Sequence, residues 1–176
     1  IEKMKTLGLL PENGTRSAAL IKTFVTTPLQ AAIAEKHGLK VIDTLTGFKW
    51  IGEKLKNYEE ILMEKLSARG SAYKEYDAIP LDKRRELLLE HSTFYVFGGE
   101  ESYGYLASDR LRDKDANAAV VMFAEMAATL AAEGRTIPGY LDEVYLRYGY
   151  FAEETVNIYY EGATGAAKIK AILDSY

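Results

Sequence analysis

The spacing of residue types between positions 18 and 43 constrains the fold more than any other feature of the sequence. An apolar run, Ala18–Val25, is followed by Thr27 and Pro28, which favour a helix start because threonine caps free amides and proline fits the first turn. Gly38 supplies the end of that helix, and a second short apolar run occupies Leu39–Asp43. A strand, a helix and a strand at this spacing predict a right-handed crossover between two parallel strands.

Later segments extend the same pattern. Thr93–Phe97 is β-branched and aromatic, which predicts a third strand. Ala116–Glu133 is apolar on nearly every face, so we expect a long helix buried against the sheet. Pro138–Tyr148 has apolar residues at helical spacing. The predicted fold class is therefore α/β: a three-layer αβα domain with a mixed, mainly parallel sheet.

The segments outside this frame predict three further regions. Residues 1–14 are interpreted as a connector from a preceding domain, and residues 15–150 as the α/β domain. Two helical patterns, near Tyr58–Leu66 and Asp82–Glu90, are separated by a linker rich in turn residues. Residues 151–176 are predicted to form a half-exposed strand, in which Val156, Ile158 and Tyr160 alternate with polar neighbours, and then a helix that begins at Thr164.

Charge and composition exclude several functions. The net charge of −4 provides no basic surplus for a phosphate backbone, so we expect no nucleic-acid partner. The absence of cysteine excludes a disulfide framework, a thiol nucleophile and a thiolate metal site. No apolar run approaches the roughly 20 residues of a membrane span. We therefore expect no membrane partner and a cytoplasmic location.

The loop after the third predicted strand is the best candidate for a site. Gly98 and Gly99 allow a sharp turn and close backbone approach. Glu100 can accept hydrogen bonds from two adjacent hydroxyls, and Ser102 can donate or accept at a third position. These groups suit a sugar. A solvated acidic turn at the end of a strand would account for the same residues.

Four motifs in order resemble the third domain of the α-D-phosphohexomutases, the phosphoglucomutase and phosphomannomutase family. The motifs are Lys-Thr-Phe-Val-Thr-Thr at 22–27, Thr-Gly-Phe-Lys-Trp-Ile-Gly at 46–52, Gly-Gly-Glu-Glu-Ser-Tyr-Gly at 98–104 and Arg-Asp-Lys-Asp at 112–115. The resemblance runs from roughly Leu9 to Tyr150 and is interrupted between about Tyr58 and Ser92. It therefore implies a helical insertion at about residues 57–91.

The resemblance implies a role for each matched residue. Glu100 and Ser102 would bind the O3 and O4 hydroxyls of the sugar, and Lys114 would serve near the transferring phosphate as an acid/base or as a phosphoryl stabiliser. Lys22 and Lys49 are further candidates for acid/base or phosphate contacts. The other predicted substrate contacts are Thr46, Gly47, Gly99 and Arg112. Simpler alternatives are a surface ion pair for Lys114 and solvent-facing positions for Lys22 and Lys49.

The family resemblance implies a sugar-recognition domain of an enzyme that moves a phosphoryl group between C1 and C6 of a hexose phosphate through a phosphoserine and a bisphosphate intermediate. The expected partners are a hexose phosphate, such as glucose or mannose 1- or 6-phosphate, and the remaining domains of the same polypeptide. The family's phosphoserine and magnesium loops do not occur in this sequence. We therefore expect no cofactor in this chain, Mg²⁺ in the full-length enzyme and no activity from the chain alone.

Other functions are compatible with parts of the sequence. A phosphopentomutase-type parent would use the same motifs, since the sequence does not fix the sugar. A non-catalytic interaction domain could use the charged insertion and the 13 tyrosines. A nucleotide-binding module is disfavoured because no Gly-x-Gly-x-x-Gly follows the first strand and no P-loop pattern is present.

Overall fold

A four-stranded sheet organises the computed structural model, which describes residues 1–102 and 104–176. Its strands are β1 (Ala18–Thr23), β2 (Lys40–Thr44), β3 (Phe94–Gly99) and β4 (Tyr105–Leu106). The spatial order is β2-β1-β3-β4. Strand β1 is parallel to both β2 and β3, whereas β4 is antiparallel to β3. The predictions of a mixed, mainly parallel sheet and of a parallel β1–β2 pair are confirmed.

Seven helices accompany the sheet in the described residues. They are α1 (Glu2–Thr6), α2 (Pro28–Lys36), α3 (Phe48–Ala68), α4 (Leu81–His91), α5 (Ala116–Ala132), α6 (Ile137–Tyr148) and α7 (Gly162–Leu173), with a 3₁₀ turn at Tyr76–Ala78. Helix α2 begins as predicted, because the Thr27 hydroxyl accepts a hydrogen bond from the Leu29 amide at 3.2 Å. The Asp115 carboxylate caps α5 by accepting from the Asn117 and Ala118 amides.

The two faces of the sheet carry separate apolar clusters. Leu20 on β1 belongs to a buried cluster that includes Ala34 of α2. The next residue, Ile21, belongs to a second buried cluster that includes Ile51 of α3. Successive strand residues face opposite sides of a sheet, so helices cover both faces. This is the three-layer αβα arrangement.

Helix α3 is longer than predicted. The helix that starts at the second motif and the separate helix expected near Tyr58–Leu66 are one continuous 21-residue helix. Its buried residues Ile51, Leu55, Leu62 and Leu66 recur at helical spacing, so a single apolar stripe runs along its length. The segment between the two predicted helices contains no proline or glycine that would interrupt the helix. The second predicted helix of this region is α4.

Helix α5 forms over the predicted residues, but the expectation that it is buried is wrong. Leu130 is its one buried residue, whereas Val120 and Val121 are 68% and 66% exposed. The helix packs along one edge, against β4 and α6. Apolar residues on all faces indicate that a helix can be buried on all sides. They do not show which segments or domains of a polypeptide pack against it.

The strand predicted in the C-terminal region is also absent. Residues 149–160 form no strand in the structure, and Val156 and Ile158 are 74% and 70% exposed. Alternation of apolar and polar residues favours a strand only where a sheet edge is available to pair with it. No strand of the described sheet pairs with this segment. Helix α7 follows it and begins two residues before the predicted start at Thr164.

In the described residues, no helix is on its own long and apolar enough to cross a membrane. Helices α5 and α6 meet that length and composition only when they are taken together, and they are bent by 95° at their junction.

Candidate functional site

The predicted motifs meet at the carboxyl edge of the sheet because the strands align there. Lys22, near the end of β1, is in register with Asp43 of β2 on one side and with Gly99 of β3 on the other. The loops that follow β1 and β3 therefore leave the sheet side by side. In parallel α/β sheets this edge is where ligands usually bind.

Close packing explains the glycine that precedes the acidic loop. A Cβ atom at Gly98 would lie 2.5 Å from the Tyr95 hydroxyl oxygen and 2.9 Å from the Ile21 carbonyl oxygen. The Tyr95 hydroxyl donates a hydrogen bond to the Leu106 carbonyl at 2.7 Å, and its burial raises the pKa of Tyr95 well above the ordinary value. This contact fixes β4 against β3. The loop between them therefore has fixed ends.

Glu100 begins that loop and has a buried side chain with two different oxygen environments. The side chain is 8% exposed, and its Oε2 lies 3.5 Å from the Lys114 Nζ. Its Oε1 is buried and has no hydrogen-bond partner among residues 1–102 and 104–176. A buried carboxylate oxygen without a donor is costly. The unpaired Oε1 is therefore the atom of this loop most suited to receive a donor from a ligand.

Lys114 connects three of the four motifs. Its ammonium lies 3.5 Å from Glu100, 3.6 Å from the Asp113 carboxylate and 5.6 Å from the centre of the Phe48 ring, which opens α3. The Lys114 side chain also packs beside Gly104, where the backbone has a φ of 131° that favours glycine. The side chain remains 34% exposed. Lys114 is thus a partly accessible cation beside the buried carboxylate.

Lys22 is buried rather than solvent-facing. It is 4% exposed, and its ammonium donates to the Thr26 carbonyl at 2.9 Å and the Thr23 carbonyl at 3.3 Å. It also pairs with the Asp43 carboxylate at 3.0 Å. Three partners satisfy the three donors of an ammonium. A ligand could therefore reach Lys22 only by replacing one of these contacts.

The residues of the second motif lie at the surface. Lys49 is exposed, and its ammonium lies 4.7 Å from the centre of the Trp50 ring, a cation–π contact within its own helix. Thr46 is exposed, and Gly47 precedes α3 with a φ of 113°. Ser102 is also exposed. The solvent-facing alternative for Lys49 matches its observed position, and the substrate roles of these residues stay predictions.

Arg112 contacts α3 through its guanidinium. One nitrogen forms an ion pair with Glu59, and another donates to the Asp109 carbonyl at 2.6 Å. The backbone is close as well, because a Cβ atom at Gly52 would lie 2.9 Å from the Arg112 carbonyl oxygen. Burial raises the pKa of Glu59, and Arg112 opposes this effect. In this structure Arg112 therefore fastens the loop that carries Lys114, and its predicted substrate contact stays a prediction.

A cavity of about 780 Å³ lies at the same edge of the sheet, a size typical of small-molecule sites. Four glutamates line it and none of its lining residues is cationic. The lining residues are Val25, Thr26, Thr27, Gln30, Glu100, Glu101, Glu153, Glu154 and Thr155. The Glu101 carboxylate accepts a hydrogen bond from the Thr23 hydroxyl at 2.8 Å, which ties the loop to β1. The Thr27 hydroxyl donates to Glu153, so the C-terminal segment closes one side.

Sequence reasoning missed two groups of cavity residues. Glu153, Glu154 and Thr155 belong to a segment that was predicted to lie outside the domain. Gln30 lies in the first turn of α2, and its Oε1 is buried without a partner among the described residues. A signal for Gln30 did exist. It is a polar residue in the first turn of a helix whose start follows the first motif directly.

A metal site is not evident in the described part of the chain. No three His, Asp or Glu side chains there are grouped so that they could hold a metal ion. The magnesium loop that the family resemblance implies is not among the motifs of this sequence. The charged groups that the described residues place at this site are carboxylates and lysines.

Comparison with known proteins decides the family. The family model described as "Phosphoglucomutase/phosphomannomutase, alpha/beta/alpha domain III" matches residues 4–64 and 85–148. The chain belongs to the phosphoglucomutase/phosphomannomutase family. The unmatched residues 65–84 comprise the end of α3, the 3₁₀ turn and the start of α4. This phosphohexomutase domain III therefore carries family-matched residues on both sides of that segment.

Three curated relatives of this phosphohexomutase domain are much longer than the chain. A phosphoglucomutase of Staphylococcus haemolyticus is 26% identical over 162 residues, which cover 92% of this chain and 24% of that protein. A human glucose 1,6-bisphosphate synthase is 31% identical over 140 residues, covering 80% of this chain and 18% of that protein. A Pongo abelii phosphopentomutase is 28% identical over 143 residues, covering 79% and 18%. The chain thus spans about a quarter or less of these relatives. No solved structure is significantly similar to it.

Proposed function

We propose that the chain is the sugar-recognition domain of a phosphoglucomutase or phosphomannomutase, which moves a phosphoryl group between C1 and C6 of a hexose phosphate through a phosphoserine and a bisphosphate intermediate. The observation that carries the proposal is the environment of Glu100. One of its oxygens is buried without a donor among residues 1–102 and 104–176, and the other lies 3.5 Å from the Lys114 ammonium. A carboxylate that can accept hydrogen bonds from hydroxyls, beside a cation, suits a ligand that carries both several hydroxyls and a phosphate.

The charge distribution supports an orientation for this ligand. The described part of the cavity wall carries four glutamates and no cation, so it favours the hydroxyl-bearing part of the sugar over the phosphate. The phosphate then lies on the side of Lys114. Glu100 would accept from the O3 and O4 hydroxyls, with Ser102 as a third contact. Because these hydroxyls exchange places when the sugar turns round, one loop could hold both substrate orientations.

Lys114 would act on the transferring group. A charged lysine stabilises the negative charge on the phosphoryl group, and a neutral lysine could accept the proton of the attacking hydroxyl. Lys22 and Lys49 remain the other candidates for these roles. Lys22 would first have to leave Asp43 or a backbone carbonyl.

The remaining machinery would come from other domains of the parent polypeptide. These domains would supply the phosphoserine and a bound Mg²⁺, which would neutralise charge on the transferring phosphoryl group. We infer that they also cover α5, whose side chains at Val120 and Val121 are more than half exposed. Exposed apolar side chains of this kind mark interaction surfaces, in this proposal a surface for a neighbouring domain. The cytoplasm stays the expected location of the parent protein.

A second candidate is a parent that acts on a pentose phosphate. The Pongo abelii phosphopentomutase, 28% identical, supports this alternative. The human glucose 1,6-bisphosphate synthase, 31% identical, supports a parent that makes a hexose bisphosphate. All three parents need the same pair of groups, an acceptor for sugar hydroxyls and a cation for phosphate.

A titration followed by NMR tests the proposal. The chain is titrated separately with glucose 1-phosphate, mannose 1-phosphate and ribose 1-phosphate, and with inorganic phosphate and free glucose as controls. We expect the largest amide shifts at residues 99–104 and at Lys114, larger for a sugar phosphate than for either control. The sugar that gives the tightest saturation identifies the parent class. Shifts that are absent at millimolar ligand would contradict the proposal and favour an interaction domain.

A further inference from the structure

Gln30 is a polar residue in the cavity wall that no predicted role accounts for. Its side-chain amide lies against Gly99, since a Cβ atom built on that glycine would be 3.6 Å from Nε2 and 3.7 Å from Oε1 of Gln30. Gly99 directly precedes Glu100. The amide is therefore next to the loop that carries the proposed sugar ligand.

The hydrogen bonding of Gln30 is incomplete in the same way as that of Glu100. Its Oε1 is buried and unpaired among residues 1–102 and 104–176, and so is the Oε1 of Glu100. Both residues line the cavity of about 780 Å³. Two buried acceptors that have no donor among the described residues are costly, and a ligand hydroxyl could satisfy each of them.

Secondary structure holds Gln30 in place. The residue is in the first turn of α2, where its backbone amide donates a hydrogen bond to the Thr27 carbonyl at 3.2 Å. Thr27 in turn caps the helix and donates a hydrogen bond to Glu153 at one side of the cavity. A side chain that projects from a capped helix turn is better fixed than one on a loop, which is what reading a hydroxyl configuration requires.

We propose that Gln30 is a specificity-determining residue that binds a sugar hydroxyl next to those bound by Glu100. This inference rests on the proposed function, because it presumes that a sugar phosphate occupies the cavity. The amide is uncharged and offers both a donor and an acceptor. It can therefore favour one configuration of a neighbouring hydroxyl over the other, which a carboxylate that only accepts does less well.

The test compares Gln30→Met, which keeps the length of the side chain and removes its polar atoms, with Glu35→Gln, an exposed change on the same helix. Affinities for glucose 1-phosphate and mannose 1-phosphate are measured by calorimetry on the chain. One neutral hydrogen bond corresponds to about a two- to tenfold change in affinity. We expect Gln30→Met to weaken the better-bound epimer by that factor and to bring the two affinities closer together. Glu35→Gln should change neither.

The same titrations separate this inference from the proposed function. In the wild-type chain, the side-chain amide signals of Gln30 should shift with the backbone signals of the Glu100 loop. If the Glu100 loop and Lys114 respond while Gln30 is silent and Gln30→Met binds normally, the role of Gln30 is refuted and the sugar site stands. If no signal responds to any sugar phosphate, both are refuted. Weaker binding of both epimers by an equal factor would also contradict a role in specificity.

Discussion

The ammonium of Lys114 lies 3.5 Å from a carboxylate oxygen of Glu100, although the two residues are on different loops. Glu100 follows β3, and Lys114 precedes α5. Backbone contacts hold both loops: the Glu100 amide donates to the Gly104 carbonyl at 3.3 Å, and the Asp115 amide donates to the Tyr105 carbonyl at 3.2 Å. The pair is therefore positioned by the backbone around β4, and a change to either side chain should leave the other in place.

Replacement of Glu100 by glutamine should impair the reaction without unfolding the domain. The substitution keeps the shape but removes charge-assisted hydrogen bonds worth roughly 1.5–3 kcal/mol. In the full-length parent protein we expect kcat/KM to fall by about one to two orders of magnitude. The melting temperature should barely move. Asp113→Asn, which alters the exposed carboxylate 3.6 Å from the same lysine, is the matched control. A large loss of stability with unchanged kcat/KM would show that the loop is structural.

Replacement of Lys114 by methionine should lower kcat more than it changes KM. A group that transfers a proton or stabilises the phosphoryl group matters most in the transition state. Steady-state kinetics of the parent protein provide the measurement. Lys56→Met removes an exposed cation of α3 that pairs with Glu60 at 3.6 Å, and it should be silent. If Lys114→Met is also silent, Lys22 or Lys49 becomes the better candidate.

The sheet could be predicted from the sequence because its signals are local. Strand, cap and glycine signals around Thr27 and Gly38 specify one crossover whatever the rest of the polypeptide does. The exposure of α5 could not be predicted, because an apolar pattern does not reveal what covers Val120 and Val121. The prediction of a strand at residues 156–160 was wrong for a similar reason. A strand must pair with another strand, and the sequence pattern of one segment does not show whether such a partner is available.

Some features of the candidate site could likewise be predicted from the sequence, and others could not. The proximity of Glu100 and Lys114 follows from motifs that the family resemblance supplied. The burial of Lys22 and the ion pair between Arg112 and Glu59 depend on contacts between residues that are distant in sequence. The spacing of residues along the chain does not predict such contacts. Gln30 was missed because a single polar residue in a helix turn is common. What distinguishes it is a buried oxygen that has no partner in the described part of the chain.

The chain alone should show no mutase activity. The phosphoserine and magnesium loops that the reaction needs in this family do not occur in the sequence, so a chain that binds a sugar phosphate as proposed would still have no phosphoryl donor. The assay supplies glucose 1-phosphate, glucose 1,6-bisphosphate and Mg²⁺. The formation of glucose 6-phosphate is followed through a coupled reaction that changes the absorbance of a dye. Turnover above that of a mock purification would show that the donor lies within these 176 residues.

Substitution of Gly98 should destabilise the fold more than the same substitution at Gly99. A methyl group at Gly98 would meet the Tyr95 hydroxyl at 2.5 Å and the Ile21 carbonyl at 2.9 Å, whereas one at Gly99 finds its nearest atoms at 3.6 Å. Overpacking of this kind costs about 1–3 kcal/mol. Urea unfolding of Gly98→Ala and Gly99→Ala provides the comparison. Equal stabilities would mean that β1 and β3 can separate to admit the methyl group without loss.

The largely buried carboxyl group of Glu59 should give the fold a specific dependence on pH. Burial raises the pKa of Glu59 above its ordinary value of 4.5, and the nearby Arg112 only partly opposes this. A carboxyl group whose pKa is higher in the folded state than in the unfolded state stabilises the fold when it is protonated. That contribution is present below the unfolded pKa and is lost as the pH rises through the folded pKa.

Glu59→Gln isolates this effect, because glutamine stays neutral at every pH while it can still accept a hydrogen bond from Arg112. The free energy of unfolding of the wild-type chain, minus that of Glu59→Gln, should fall as the pH rises from about 4 to about 7. Urea unfolding at several pH values in that range measures this difference. The contributions of carboxylates that both proteins share cancel when one free energy is subtracted from the other. Glu60→Gln, an exposed neighbour on the same helix, controls for the loss of a charge from α3. A difference that rises with pH would mean that the attraction of Arg112 outweighs the burial of Glu59 and that the ion pair stabilises the loop carrying Lys114.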